Sequence, residues 1–267
     1  MRMRHTRIRT RQRESHTDSY VRRIPLVVGQ STNPAAAAST AADKPTLSSL
    51  FCRQSIERIA PGSAVFWEGD AAKNIFEVVE GTLRAYRILN DGRRVILGFV
   101  RAGDLLGVSL RGHYLYTVEA ITPVEVRRLP KHRFDSLSER EPHLNEQLFS
   151  KLCDEMAAAQ DQMVLLSRRS AEEKLAGFFL LMARGQVQKR GMIIELPMTR
   201  LDIADYLGMT IETVSRTITK LAGCGVIATV GRHSIALLTM NALVALAGGE
   251  LENPSFQEAY RRRHAMA

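Results

Sequence analysis

From Leu47 to Pro130 apolar residues come in short runs that alternate with polar ones and break at glycines. Val65-Phe66 leads into Glu68-Gly69-Asp70, Ile75 to Val79 into Glu80-Gly81, and Leu83 to Ile88 into Asn90-Asp91-Gly92. Val95-Ile96-Leu97 and Phe99-Val100 follow, with turns at Gly98 and Gly103-Asp104. A period of two suits strands with one buried face, and turn dipeptides about ten residues apart suit an antiparallel roll, sandwich or barrel. Asn90-Asp91-Gly92 is the strongest hairpin signal, because the turns that match strand twist need positive φ. The pattern predicts a β domain over residues 46–140.

Past Pro142 the period lengthens. Phe149, Leu152, Met156, Ala159, Met163 and Leu166 recur at spacings of three and four, with Glu, Asp, Gln and Lys between them. This heptad seam predicts a helix over 141–169, and its polar remainder favours self-association over packing within one domain. Ser170-Ala-Glu-Glu173 has the form of a capping box. It opens a helix whose Leu175, Phe178, Phe179 and Met182 make one apolar face. Gly185 and Gly191 bracket a loop, and Ile193 to Pro197 reads as a short strand.

The segment Thr199 to Arg216 carries most of the chemistry. Thr199 suits an N-cap, and Asp202 suits the first turn, where the helix dipole favours an anion. Small Ala204 lets a second helix approach, Gly208 supplies a turn with positive φ, and Thr210 caps the next helix, whose Val214 and Ile218 face inward. Together with Ile203, Leu207 and Met209 this satisfies a helix-turn-helix. Val226-Ile227 and Ile235-Ala236-Leu237 flank Gly231-Arg232-His233 as a β-wing. The second helix then presents Thr210, Glu212, Thr213, Ser215, Arg216 and Lys220. Glu accepts from cytosine N4 and Arg donates twice to guanine, so the pair can read a G·C step. Thr199, Arg200 and Arg232 join them as candidate DNA contacts. The plainer alternative is a solvated face with a Glu–Arg pair at i, i+4. The expected fold class is α+β, with the winged domain over 170–242 and a tail over 243–267.

Charge changes this picture less than its total suggests. Residues 1–45 hold nine basic and three acidic side chains, so that +6 of the net +9 lies there and the other 222 residues carry only +3. That segment lacks apolar periodicity and contains Pro34-Ala-Ala-Ala-Ala-Ser-Thr-Ala-Ala, a composition that predicts a disordered basic arm. Translated leader ahead of a later start is an equal alternative. No run approaches ~18 unbroken apolar residues, so a membrane span is not expected. Three cysteines without a CxxC pair (Cys52, Cys153, Cys224) speak for a reducing, cytoplasmic protein.

These motifs resemble the Crp/Fnr family of bacterial transcription regulators from about Leu47 to Leu238. Leu196 to Arg216 is very similar to its FixK/Fnr branch, and Phe66-Trp-Glu-Gly-Asp70, Val79 to Arg87 and Asp91 to Ile96 support the likeness in the β domain. The resemblance implies a cyclic-nucleotide-binding-like β-roll, a long dimerisation helix, a C-terminal winged helix, and RNA polymerase as partner of an activator. It also implies that Glu212, Ser215 and Arg216 read TTGAT-type inverted repeats in double-stranded DNA. The Crp branch carries Arg and Gly where this chain has Ile211 and Ser215.

The likeness breaks in the roll. The family's cyclic-nucleotide binders carry Gly-Glu-Leu and Arg-Ser, where this chain has Gly107-Val108-Ser109 and Tyr114-Leu115. Loss of that Arg removes the charge-assisted bonds that would hold a phosphate. Three cysteines cannot form the four-cysteine cluster of the Fnr type. No cofactor or metal is therefore expected, and the reading is a non-enzymatic homodimer. An effector-gated regulator with another small molecule in the roll, or haem on His113, is the alternative. A cupin-like metal enzyme would need a His-x-His pair, which the seven histidines do not supply.

Overall fold

The computed structural model describes residues 45–168, 170–183 and 192–248. The basic arm lies outside the described residues except for Pro45, and the expected tail does so beyond Gly248. The chain opens with helix α1 (Leu47–Cys52), which Thr46 and Ser49 close by a reciprocal capping box. Eight strands follow: β1 (Ile56–Ile59), β2 (Ala64–Phe66), β3 (Asn74–Glu80), β4 (Thr82–Ile88), β5 (Arg94–Arg101), β6 (Leu105–Leu106), β7 (Thr117–Ala120) and β8 (Val124–Pro130).

The strands form two four-stranded antiparallel sheets, ordered β1-β8-β3-β6 and β2-β7-β4-β5. Phe66, Phe76, Leu83, Leu106, Val118 and Val126 fill the space between them. Gly81 carries the chain from one sheet to the other at φ +93°, so close to the Pro123 carbonyl that a Cβ there would collide with it. The hairpin read at Asn90-Asp91-Gly92 joins β4 to β5, with Asp91 Oδ1 accepting from the Arg93 N–H at 3.1 Å.

Helix α2 (Lys131–Ser138) leads into α3 (His143–Leu166), a 24-residue helix. Its N-terminal end is anchored by Leu144 in a cluster with Leu47, Phe51, Ile75 and Phe134. Leu165 is buried at the other end. Between them the seam lies on the surface: Phe149 is 67% exposed, Met156 58% and Met163 62%. Ala159 is exposed and Leu152 half-buried.

The C-terminal part comprises α4 (Ala171–Met182), β9 (Met192–Glu195), α5 (Arg200–Leu207), α6 (Ile211–Gly223), β10 (Ile227–Thr229), β11 (Ser234–Leu237) and α7 (Met240–Leu246). Ser170 caps α4 by accepting from the Glu173 N–H at 3.1 Å. The sheet order is β10-β11-β9, antiparallel throughout. The expected boundary at 242/243 is corrected, because it cuts through α7. Ala242, Leu243 and Ala247 are buried in the same core as Leu175, Phe178 and Phe179, so the helix completes the domain.

That core does not stop at the domain border. Tyr86 of β4 and Ile96 of β5 belong to it. Phe99 of β5 lies 5.3 Å from Tyr206 of α5 and 6.3 Å from Phe178 of α4 between ring centroids. The Gln162 side chain of α3 donates to the Ile96 carbonyl at 3.2 Å. The roll thus meets the C-terminal domain through β4 and β5.

Candidate nucleic-acid interface

Two short helices and a tight turn present the candidate surface. Thr199 caps α5 reciprocally: its hydroxyl oxygen accepts from the Asp202 N–H at 3.1 Å, while Asp202 Oδ2 accepts from the Thr199 N–H at 3.0 Å. Ile203, Ala204, Tyr206 and Leu207 are buried on the inner face of α5. Gly208 then takes the left-handed conformation, φ 62° and ψ 43°, and ends the helix. Thr210 restarts the chain as α6 by accepting from the Thr213 N–H at 3.2 Å. Val214, Thr217, Ile218 and Leu221 form the inner face of α6. This spacing of three and four fixes which residues remain outside.

Glu212, Ser215 and Arg216 are exposed on that outer face, and Thr210 stands at its start. Thr213 is half-buried, its hydroxyl 3.1 Å from that of Thr210. Hydrogen bonds from its own backbone N–H and from the Thr210 hydroxyl hold the Glu212 carboxyl below its ordinary value, with the nearby Arg216 charge acting the same way. Glu212 is therefore an acceptor at neutral pH, and Arg216 offers a planar set of donors. Arg232 is exposed at the tip of the β10–β11 wing, which the Val230 N–H closes onto the Ser234 carbonyl at 3.0 Å.

Arg200 is half-buried in a shallow depression with Ser215, Thr219 and Thr229. Its Nη1 is out of contact with water and has no hydrogen-bond partner, and desolvation lowers its pKa. Thr219 and Thr229 were not singled out in the sequence, since a lone Thr near a β-wing carries no signal until the wing is folded onto α6. Lys220, exposed on α6, has a partner within the protein. Its ammonium is 2.5 Å from Glu172 Oε1 on α4, so that it ties α6 to α4.

The roll segment that breaks the family pattern is also built. Tyr114 is buried with its ring stacked on Phe66, 3.9 Å between centroids, and its hydroxyl donates to the Asn74 carbonyl at 3.0 Å. Ser109 donates to the His113 carbonyl at 2.7 Å and closes the 109–113 turn. Arg111 and His113 are exposed. Desolvation raises the carboxyls of Asp104 and Glu155, and the Asp104 charge raises Glu155 further. Tyr114 is committed to the core of the roll. Among the described residues no group of three or more His, Cys, Asp or Glu side chains could hold a metal, and no helix is long and apolar enough to cross a membrane.

Comparison with known proteins gives the two halves their kin. A cyclic nucleotide-binding domain matches residues 56–141, and a Crp-like helix-turn-helix domain matches 173–246. Over 188 residues the chain is 43% identical to the nitrogen fixation regulation protein FixK of Bradyrhizobium diazoefficiens, covering 70% of this chain and 79% of that one. The chain belongs to the Crp/Fnr family. It is also 41% identical over 166 residues to the transcriptional activatory protein AadR of Rhodopseudomonas palustris, covering 61% and 70% of the two chains. The structure of FixK2 from Bradyrhizobium japonicum aligns with a TM-score of 0.69 at 31% identity, covering 74% of this chain and 98% of that one. Members of the Crp/Fnr family are DNA-binding transcription regulators, not enzymes, and this chain is one of the FixK, Fnr and Crp type.

In this Crp/Fnr regulator the turn between α5 and α6 should be more sensitive to backbone than to volume. The nearest atom to a Cβ at Gly208 would be Leu166 Cδ2 at 4.0 Å, so space is available. Gly208→Val forces a β-branched residue into the left-handed region and should destabilise the winged domain by about 1–2 kcal/mol or more. Gly208→Asn should lose clearly less, because Asn tolerates that region. Urea unfolding of both variants checks the order, and equal losses would refute it.

Proposed function

We propose that the chain is a dimeric, cytoplasmic transcription activator that reads TTGAT-type inverted repeats, contacts RNA polymerase, and takes no cyclic-nucleotide or iron–sulfur input. The observation that carries the reading is the Glu212, Ser215 and Arg216 set, exposed together on a helix whose opposite face is locked in the core. Arg216 donates to the guanine of each half-site and Glu212 accepts from a cytosine of the opposite strand. Thr199, Arg200, Thr210, Thr213 and Arg232 suit the flanking backbone. Likeness to AadR, named as activatory, supports activation over repression. The packed Tyr114, standing where the family's nucleotide binders carry Arg-Ser, supports a protein whose output follows its abundance.

A bidentate contact is worth roughly 1–3 kcal/mol per half-site, so Arg216→Ala should cost about 2–6 kcal/mol on a palindrome if the halves add. The loss should shrink on a palindrome whose guanine is replaced, and titrations of both proteins against both duplexes measure it. Equal loss on the two sites would show that Arg216 holds backbone and would defeat the assignment. Added cyclic AMP or cyclic GMP should leave these affinities unchanged, and micromolar binding of either in calorimetry would refute the effector-free reading.

The seam Phe149, Leu152, Met156, Ala159, Met163 and Leu166 makes the dimer in this reading. Two parallel α3 helices would set the α6 helices about one DNA turn, ~34 Å, apart. Met156→Glu places a charge at the centre of that contact. It should give monomers in sedimentation and abolish palindrome binding while the roll stays folded. A dimer that still binds DNA would mean the seam is wrongly assigned.

A further inference from the structure

One carboxylate is shared between the helix-turn-helix and the roll. Asp202 is fully buried. Its Oδ2 accepts from the N–H and hydroxyl of Thr199 and so completes the cap of α5. Its Oδ1 faces the other way, accepting from Arg84 Nη1 of β4 at 3.1 Å and from Arg94 Nη2 of β5 at 2.8 Å. One turn on, Asp205 Oδ2 accepts from Arg94 Nε at 2.8 Å. Arg84 is held in place by Glu119 of β7, which also accepts from the Tyr86 hydroxyl at 3.2 Å. Arg94 lies over the Tyr86 ring, 5.8 Å from its centroid. The network crosses the domain border and leaves Glu212, Ser215 and Arg216 uncovered.

We infer that Arg84, Arg94, Asp202 and Asp205 form a clamp that positions the recognition helix of each protomer for DNA. The inference rests on the effector-free reading above, in which no ligand is available to order the two domains. Asp202 cannot leave the arginines without either rehydrating or standing unpaired in the core, so intermediate orientations are disfavoured. Because the same carboxylate caps α5, the position of the roll passes directly into the first turn of the helix-turn-helix. Gly208 and the shared core then carry it to α6. The four clamp residues are positioning residues, and none of them reads a base.

The test uses the full-length chain with both arginines changed, Arg84→Gln with Arg94→Gln. Without DNA, the single calorimetric transition of the wild type should split in two as the domains melt apart. On the TTGAT palindrome the affinity should fall about tenfold or more, while that for a duplex with one half-site should change less than about twofold. The conservative pair Arg84→Lys with Arg94→Lys keeps the charges and should recover most of the palindrome affinity. Asp205→Ala removes one contact without touching the cap, and should show the same selective loss in weaker form if the double variant folds poorly. Palindrome binding equal to wild type would overturn the clamp. Tighter binding would do so too, by making the contact a brake, and equal loss on both duplexes would reduce it to a support of the helix-turn-helix alone. A wild type that ignores the palindrome sinks the proposed DNA site, whereas an unsplit melt in the Gln pair sinks the clamp itself.

Discussion

Asp202 is withdrawn from water, and an ionised carboxylate in such a place costs several kcal/mol unless it is paired and hydrogen-bonded. Four donors from three segments meet it: the Thr199 N–H, the Thr199 hydroxyl, Arg84 and Arg94. No one of those segments satisfies the group alone. Cap, strand β4 and strand β5 must therefore arrive together, and their arrival fixes where α5 lies. Helix α6 follows from α5 through a turn that glycine permits, and the wing follows from α6 through the buried Val226 and Ile227. The outward direction of Glu212 and Arg216 is the end of that chain of constraints. The ion pairs are largely withdrawn from solvent, which limits screening by salt.

In the proposed reading the roll contributes as a scaffold. Phe66, Phe76, Tyr114 and Tyr116 lie ring against ring within it, and Tyr114 gives its hydroxyl to the Asn74 backbone. A site for a cyclic nucleotide needs a cation at the phosphate and room for a ring. Here Tyr114 packs in the core of the roll, close to where the family's nucleotide binders carry that cation. The sheet that contains β4 and β5 keeps its other task, holding the C-terminal domain.

Features set by neighbours in sequence were legible there. Thr199 with Asp202, Ser170 with Glu173, the positive φ of Gly208 and the hairpin at Asn90-Asp91-Gly92 all rest on contacts within a few residues. The outer face of α6 follows from the period of Val214, Ile218 and Leu221. Short α1 and α2 escaped notice, since six to eight residues give too few turns for a period to show. The pairing of Lys220 with Glu172 was not legible, because the two stand 48 residues apart. The clamp was invisible for the same reason, its members being 108 and 118 residues apart. From sequence Asp202 is only a first-turn anion beside the Thr199 cap, whereas its two oxygens complete that cap and meet the arginines.

The distribution of charge explains why orientation matters so much in such a molecule. Residues 170–242 carry eight basic and six acidic side chains, and Lys220 is already paired with Glu172. A reading domain with so small an excess exerts little long-range pull on DNA. Most of its affinity must then come from contacts that form only when the helix sits in the groove at the right angle. In the proposed reading, two such helices on one palindrome multiply the benefit of correct geometry and multiply the loss when either head swings. Under those conditions a buried Arg–Asp junction that removes the freedom of the heads before DNA arrives raises affinity without adding a single contact to the DNA.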